Sequence, residues 1–180
     1  MTIFIPRSVD GYELCQPTSD EDLNRIVELV NGTPRMAAWS PIEVEVIHRD
    51  EGVDLVTSDS PWYGSNALIF RPSVVEQLGD LLVRNGELLP LRCDECQLFM
   101  YNVTRVIDGL DASSSVIHRF DDGRVMRIEK YAFRNSLVSG FDCFKIPDFR
   151  ASPTFVSQRF ADAWRNSRLT GLKFKPVGND

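Results

Sequence analysis

The sequence predicts an α+β fold in which about three helices pack against a mostly antiparallel sheet lying in the C-terminal half. Three observations lead there. Apolar residues recur at helical spacing in three segments, each bounded by residues that start or stop helices. Strand-like runs crowd the second half, and one pair of them is joined by Asp122-Gly123, a hairpin signal. Strands and helices do not alternate in the regular manner of a parallel α/β fold.

Taken in order, the first helix starts at a Ser19 cap. It presents Leu23, Ile26, Val27 and Val30 on one face and stops before Gly32. Ile42 to Ile47 reads as a short strand. His48 to Asn66 is long and irregular, with Gly52, Pro61 and Gly64 in it, and loops of that length are often functional. Ala67 to Phe70 is a second short strand. Ser73-Val-Val-Glu76 then has the form of a capping box, in which Ser73 and Glu76 satisfy each other's backbone amides. Val75, Leu78, Leu81 and Leu82 form the buried face of that helix, and Gly86 suits a positive-φ end.

Leu98 to Ile107 is rich in β-formers and almost continuously apolar, which predicts a central strand buried on both sides. In the hairpin from Val116 to Lys130, a two-residue type I′ turn would set Phe120 beside Val125, His118 beside Arg127 and Ile117 beside Ile128. Phe141 to Ile146 and Leu172 to Val177 are further short strands. Between them a helix capped by Ser157 carries Phe160, Ala163 and Trp164 and breaks before Gly171. The 180 residues suit a single domain spanning 1–180. Residues 87–90 are the place where two lobes would divide, although composition does not shift there.

Twenty Lys and Arg stand against 26 Asp and Glu, a net charge of −6. No basic cluster points to nucleic acid, and the imbalance leans toward a basic partner. The longest stretch free of charged residues, Ser60 to Phe70, is 11 residues, too short for a membrane span. The start, Met1 to Arg7, lacks the basic and apolar regions of a signal peptide, so the expected compartment is the cytoplasm.

Few residues nominate chemistry. Cys93-Asp-Glu-Cys96 has no second pair to complete a zinc site, since Cys15 and Cys143 are isolated and His48 and His118 lack ligand spacing. Its enclosed acids disfavour the thiolate that redox catalysis needs, so two ordinary reduced cysteines are expected. Asp108 and Asp111, followed by Ser113, Ser114 and Ser115, could do acid–base work in a small hydrolase or a modification-reversing enzyme. The same residue types are what a turn requires, and the turn is the expectation. No phosphate-binding glycine loop is present, and no cofactor or metal is expected. One segment invites a partner: Asp50, Glu51, Asp54 and Asp59 precede Trp62 and Tyr63, a pairing of acids with aromatics that can steer and anchor a protein partner.

A series of short signatures runs through the second half. Leu89-Pro-Leu91 leads to Tyr101-x-Val103 and Asp108-x-Leu-Asp111, then Ile128-x-x-Tyr131-x-Phe133 and Phe141-x-x-Phe144-Lys-Ile146. Phe155-Val-Ser-x-x-Phe160 and Leu169-Thr-Gly-Leu-x-Phe174 close it. In order and spacing the series, over about Leu68 to Val177, resembles an immunity-protein domain of bacterial polymorphic-toxin systems. The resemblance implies a non-enzymatic protein that binds and neutralises a cognate toxin encoded nearby. It supplies no catalytic residues, and the cysteine pair is not part of it. The remaining alternative is an adaptor that binds a partner without inhibiting it. Nothing in the sequence fixes the oligomeric state.

Overall fold

A computed structural model describes residues 2–149 and 152–178, without the side chains of Asn24 and Val27. Val27, expected on the buried face of the first helix, therefore lies outside the described side chains. The elements run β1 (Ile3–Ser8), β2 (Leu14–Pro17), α1 (Asp20–Leu29), β3 (Val44–Ile47), β4 (Arg49–Asp50), β5 (Val53–Asp54), β6 (Leu68–Phe70), α2 (Pro72–Val83), β7 (Gly86–Pro90) and β8 (Phe99–Val103). They continue β9 (Val116–Arg119), β10 (Val125–Lys130), α3 (Asn135–Val138), β11 (Cys143–Phe144), β12 (Phe155–Ser157), α4 (Gln158–Asn166) and β13 (Leu172–Val177). The fold is α+β and every strand pair is antiparallel, but strands run through both halves of the chain.

Two sheets organise the core. One has four strands in the order β11-β12-β1-β13, so the first strand of the chain pairs with the last across Ile3↔Val177 to Ser8↔Leu172. Pro6 is tolerated there because β12 pairs only with Ile3 and Phe4, leaving Pro6 a single neighbouring strand. The other sheet has β8 between β6 and β7.

The period-2 alternation of strands divides the interior into three cores. Leu68, Phe70, Tyr101 and Val103 face Phe4, Val156 and Leu172 of the four-stranded sheet, with Leu78 and Leu82 of α2 and Phe160 and Trp164 of α4 in the same core. Ile69, Met100 and Leu89 face the opposite way, against Ile26 of α1, Val30 just past its end, and Val44 and Val46 of β3. Ile3, Ile5, Phe144 and Phe155 pack on the far face of the four-stranded sheet against Phe133, Val138 and Ile146. With both faces of each sheet covered, the central strands can be apolar throughout. This explains the unbroken burial from Ala67 to Phe70 and bears out the central strand, which is shorter than expected and ends at Val103.

Capping is local and legible at two helices. Ser19 accepts from the Asp22 amide at 3.2 Å, and Ser157 accepts from the Phe160 amide at 3.1 Å. At α2 the capping box does not form. The helix begins two residues earlier than that box requires, with Arg71 at the cap position and Pro72 in its first turn, and the Ser73 hydroxyl donates to Asp59 Oδ1 at 2.5 Å. The buried face is Val74, Leu78 and Leu82, while Val75 and Leu81, both expected there, are half-buried. Gly86 is not a helix end with positive φ but the first residue of β7, pressed against the Asn102 carbonyl and the Tyr101 ring.

Two further expectations change. Leu23 stays largely exposed on α1. The β9–β10 hairpin keeps His118↔Arg127 and Ile117↔Ile128, but Val125 pairs with Arg119 instead of Phe120. Phe120 closes a three-residue loop, its N–H donating to Arg124 O and its carbonyl accepting from Gly123 N, each at 2.9 Å. Of the loop residues only Gly123 has positive φ, whereas a type I′ turn needs two such residues. The short helix α3 was not foreseen.

A candidate partner-binding surface

The segment singled out by its acids and aromatics divides into an exposed tip and a buried root. Beyond β3 the chain makes a small hairpin, β4–β5, with Asp50 opposite Val53 and Glu51-Gly52 between them. Both turn residues have positive φ, +46° and +84°, which is the type I′ geometry. Asp50, Glu51 and Asp54 are exposed there, and so are Val53 and Val56, at 62% and 61%. Arg49 is the one cation on the hairpin and lies 3.6 Å from Asp54.

Asp59, Trp62 and Tyr63 belong to the root. The Asp59 carboxylate accepts from Ser73 at 2.5 Å and from the Thr170 amide and hydroxyl at 2.8 and 2.7 Å. Partial burial works against its charge, but these donors outweigh that and hold its carboxyl below the ordinary value. Trp62 packs against the core containing α2 and α4, and Tyr63 against the core containing α1.

Beneath the root lies Glu13, a charged side chain with no exposed surface. Its Oε1 accepts from Arg71 at 2.6 Å and from the Ser58 amide at 3.0 Å, and its Oε2 lies 3.5 Å from His48 Nδ1. His48 Nε2 reaches Glu95 at 2.7 Å. The hairpin is thus held at its foot by a network that sequence reasoning missed, because Glu13, Arg71 and Glu95 are scattered along the chain. The hairpin itself was missed as well: His48 to Asn66 read as irregular, although Gly52 beside Val53 was a signal that could have marked the turn.

The other candidates take plainer roles. Asp111 accepts from the Ser113 amide and hydroxyl at 3.1 and 2.7 Å and from the Ser114 hydroxyl at 2.9 Å. Ser115 accepts from the Ala132 amide at 3.0 Å. This is the turn chemistry expected of Asp and Ser, and the serines' hydrogen bonds hold the Asp111 carboxyl below its ordinary value. Asp108 lies exposed beside Arg134 at 3.2 Å, and His118 sits 2.8 Å from Glu129. Cys93 and Cys96 lie side by side with sulfurs 3.9 Å apart. Among the described residues no group of three or more His, Cys, Asp or Glu side chains is arranged to hold a metal ion.

Away from this surface a cleft of about 840 Å³ opens between the end of α1, the β9–β10 loop and residues 145–149. Lys145 at its floor is 2% exposed and donates to the carbonyls of Asn66 and Ser152 at 2.7 and 2.9 Å. No described helix is long and apolar enough to cross a membrane.

Residues 93–179 match the family model described as an immunity protein family, Imm11. The match bears out the resemblance read from the sequence over that segment. It takes in the chain from β8 to β13, which supplies most of the four-stranded sheet. The acidic hairpin lies outside it. No curated protein matches the chain.

Proposed function

We propose that the chain is an immunity protein that neutralises a cognate toxin domain by binding it tightly, without chemistry of its own. The observation that carries this reading is the match of residues 93–179 to an immunity protein family. In this reading the protein acts in the cytoplasm, and its partner is a toxin protein encoded nearby. It engages neither nucleic acid nor membrane. The contact face is the acidic hairpin, with Asp50, Glu51 and Asp54 supplying charge and Val53 and Val56 supplying apolar area. Asp59, Trp62 and Tyr63 hold that hairpin in place from inside. An exposed acidic tip on a chain of net charge −6 suits a basic toxin surface, such as the groove of an enzyme that acts on nucleic acid.

The test is co-expression of this chain with a tagged copy of the protein encoded beside it, followed by pull-down and a toxicity assay across a range of ratios. An equimolar complex that survives washing, with protection lost below one chain per toxin, is the expected result. Protection at substoichiometric ratios without a stable complex would overturn neutralisation by binding and favour an enzyme.

A further inference from the structure

The loop between β7 and β8 brings Cys93 and Cys96 together under unusual constraint. At its foot the Leu91 amide donates to Leu98 O at 3.0 Å, and the Arg92 amide donates to Ile42 O at 2.9 Å. The four residues from Cys93 to Cys96 therefore span a closed gap, and their sulfurs lie 3.9 Å apart. Both cysteines are half-buried, whereas Cys15 and Cys143 are buried in the cores. Burial and the neighbouring Cys93 raise the Cys96 thiol above its ordinary value, with the Arg71 cation working against them. Glu95, inside the four-residue span, is the carboxylate that holds His48.

Two thiols so placed can pack, bind a soft metal, or join. A structural metal site wants four ligands, and the described residues around the pair do not supply them. Joining requires the sulfurs to close from 3.9 Å to about 2 Å. The pinned loop ends keep the second thiol at high effective concentration once the first has reacted.

We propose that Cys93 and Cys96 form a reversible disulfide, with a low-molecular-weight disulfide as oxidant. Cys96, beside Arg71, gives up its proton and attacks one sulfur of the oxidant. That breaks the oxidant's S–S bond, releases one thiolate and leaves a mixed disulfide on Cys96. Cys93, deprotonated in turn, attacks the Cys96 sulfur and expels the second thiolate. The protein loses two electrons and two protons, and the oxidant becomes two thiols. The resulting ring encloses Glu95 and stiffens the support of His48 at the foot of the hairpin. Sequence spacing gave the pair no role, because the enclosed acids disfavour a thiolate. What the fold adds is placement: the two sulfurs lie 3.9 Å apart on a loop pinned at its foot, with Arg71 opposing part of the rise that burial gives the Cys96 thiol.

The experiment needs no toxin, so its outcome is separate from the immunity reading. The folded protein is equilibrated with mixtures of oxidised and reduced glutathione, quenched with acid, denatured, alkylated with N-ethylmaleimide and digested with trypsin. Cleavage after Arg92 and Arg105 releases one peptide carrying both cysteines and no others. As the oxidised fraction rises, this peptide is expected to change from doubly alkylated to unalkylated and two hydrogens lighter. Dithiothreitol should restore it, while Cys15 and Cys143 remain alkylated throughout. In Cys93→Ser the same mixtures should leave Cys96 as a lasting glutathione adduct. Double alkylation of the wild-type peptide in mostly oxidised glutathione would overturn the proposal, as would a wild-type adduct as persistent as that of Cys93→Ser.

Discussion

Glu13 and Lys145 are both charged side chains removed from water, and their surroundings lead to opposite expectations. Glu13 has a guanidinium 2.6 Å away and an amide at 3.0 Å, so its desolvation is offset by charge and hydrogen bonds together. Replacing it with Gln keeps the shape but leaves Arg71 without its counter-charge. Glu13→Gln should lower the unfolding free energy by about 2–4 kcal/mol in urea titration. Lys145 has carbonyl partners, and burial pushes its pKa down from 10.5 to about 7. Above pH 7 the unfolded chain holds a proton there that the folded chain has released. Stability should therefore rise with pH from about 7 toward 9, by up to about 1 kcal/mol per pH unit. Beyond about 9 the buried thiols reverse the slope. Burial pushes Cys15 from 9.0 up to about 12 and raises Cys143 as well, so the unfolded chain loses those protons first. Urea midpoints for wild type and Lys145→Met at pH 7, 8 and 9 check the sign: the wild-type midpoint should climb and the variant's stay nearly level.

At the level of elements, the start of α2 shows how tertiary contacts displace a local rule. Ser73 and Glu76 have the spacing of a capping box, yet the serine hydroxyl goes to Asp59 on a distant turn. Alanine at Glu76 should therefore leave stability within about 0.5 kcal/mol of wild type. Alanines at Ser73 and Asp59 should be non-additive, with a coupling of about 1 kcal/mol in a double-mutant cycle. Additivity, with a costly Glu76→Ala, would restore the box. At β7, Gly86→Ala should cost about 1–3 kcal/mol, because the added methyl meets the Asn102 carbonyl and the Tyr101 ring. Elements whose signals are local were legible: the Ser19 and Ser157 caps, the apolar run of β8 and the β9–β10 pairing. The strands β1, β2 and β7 were not. β2 and β7 are short, and β1 finds its partners more than 150 residues away, so nothing within its own six residues marks it as the middle of a sheet. The hairpin loop slipped by one residue because neither Asp121 nor Asp122 takes a positive φ, leaving Gly123 alone in the left-handed position.

On the scale of the whole molecule, the proposed function divides between a scaffold and a projection. The segment that matches the immunity family carries β8 to β13, and Ile3, Phe4 and Ile5 of β1 complete the cores on both faces of its sheet. The acidic hairpin stands outside that segment, fastened by Glu13, Arg71 and His48, and its tip residues bond little with the rest of the chain. Their types were legible from sequence, but the split between tip and root was not, since Asp59 differs from Asp54 only in what the fold places around it. This division makes the proposed contact testable apart from stability. Asp50→Lys, Glu51→Lys and Asp54→Lys combined should leave the urea midpoint unchanged while slowing association with the captured toxin and flattening its salt dependence. Association steered by opposite charge falls steeply with ionic strength, and reversing three charges removes the attraction. Val53→Asp with Val56→Asp should act differently, shortening the lifetime of the complex by removing apolar area. Stopped-flow association at 50 and 300 mM salt, with dissociation by competition, separates the two effects. Unchanged rates in both variants would place the toxin on another face, whereas a lowered urea midpoint in the triple variant would mean that the tip supports the fold.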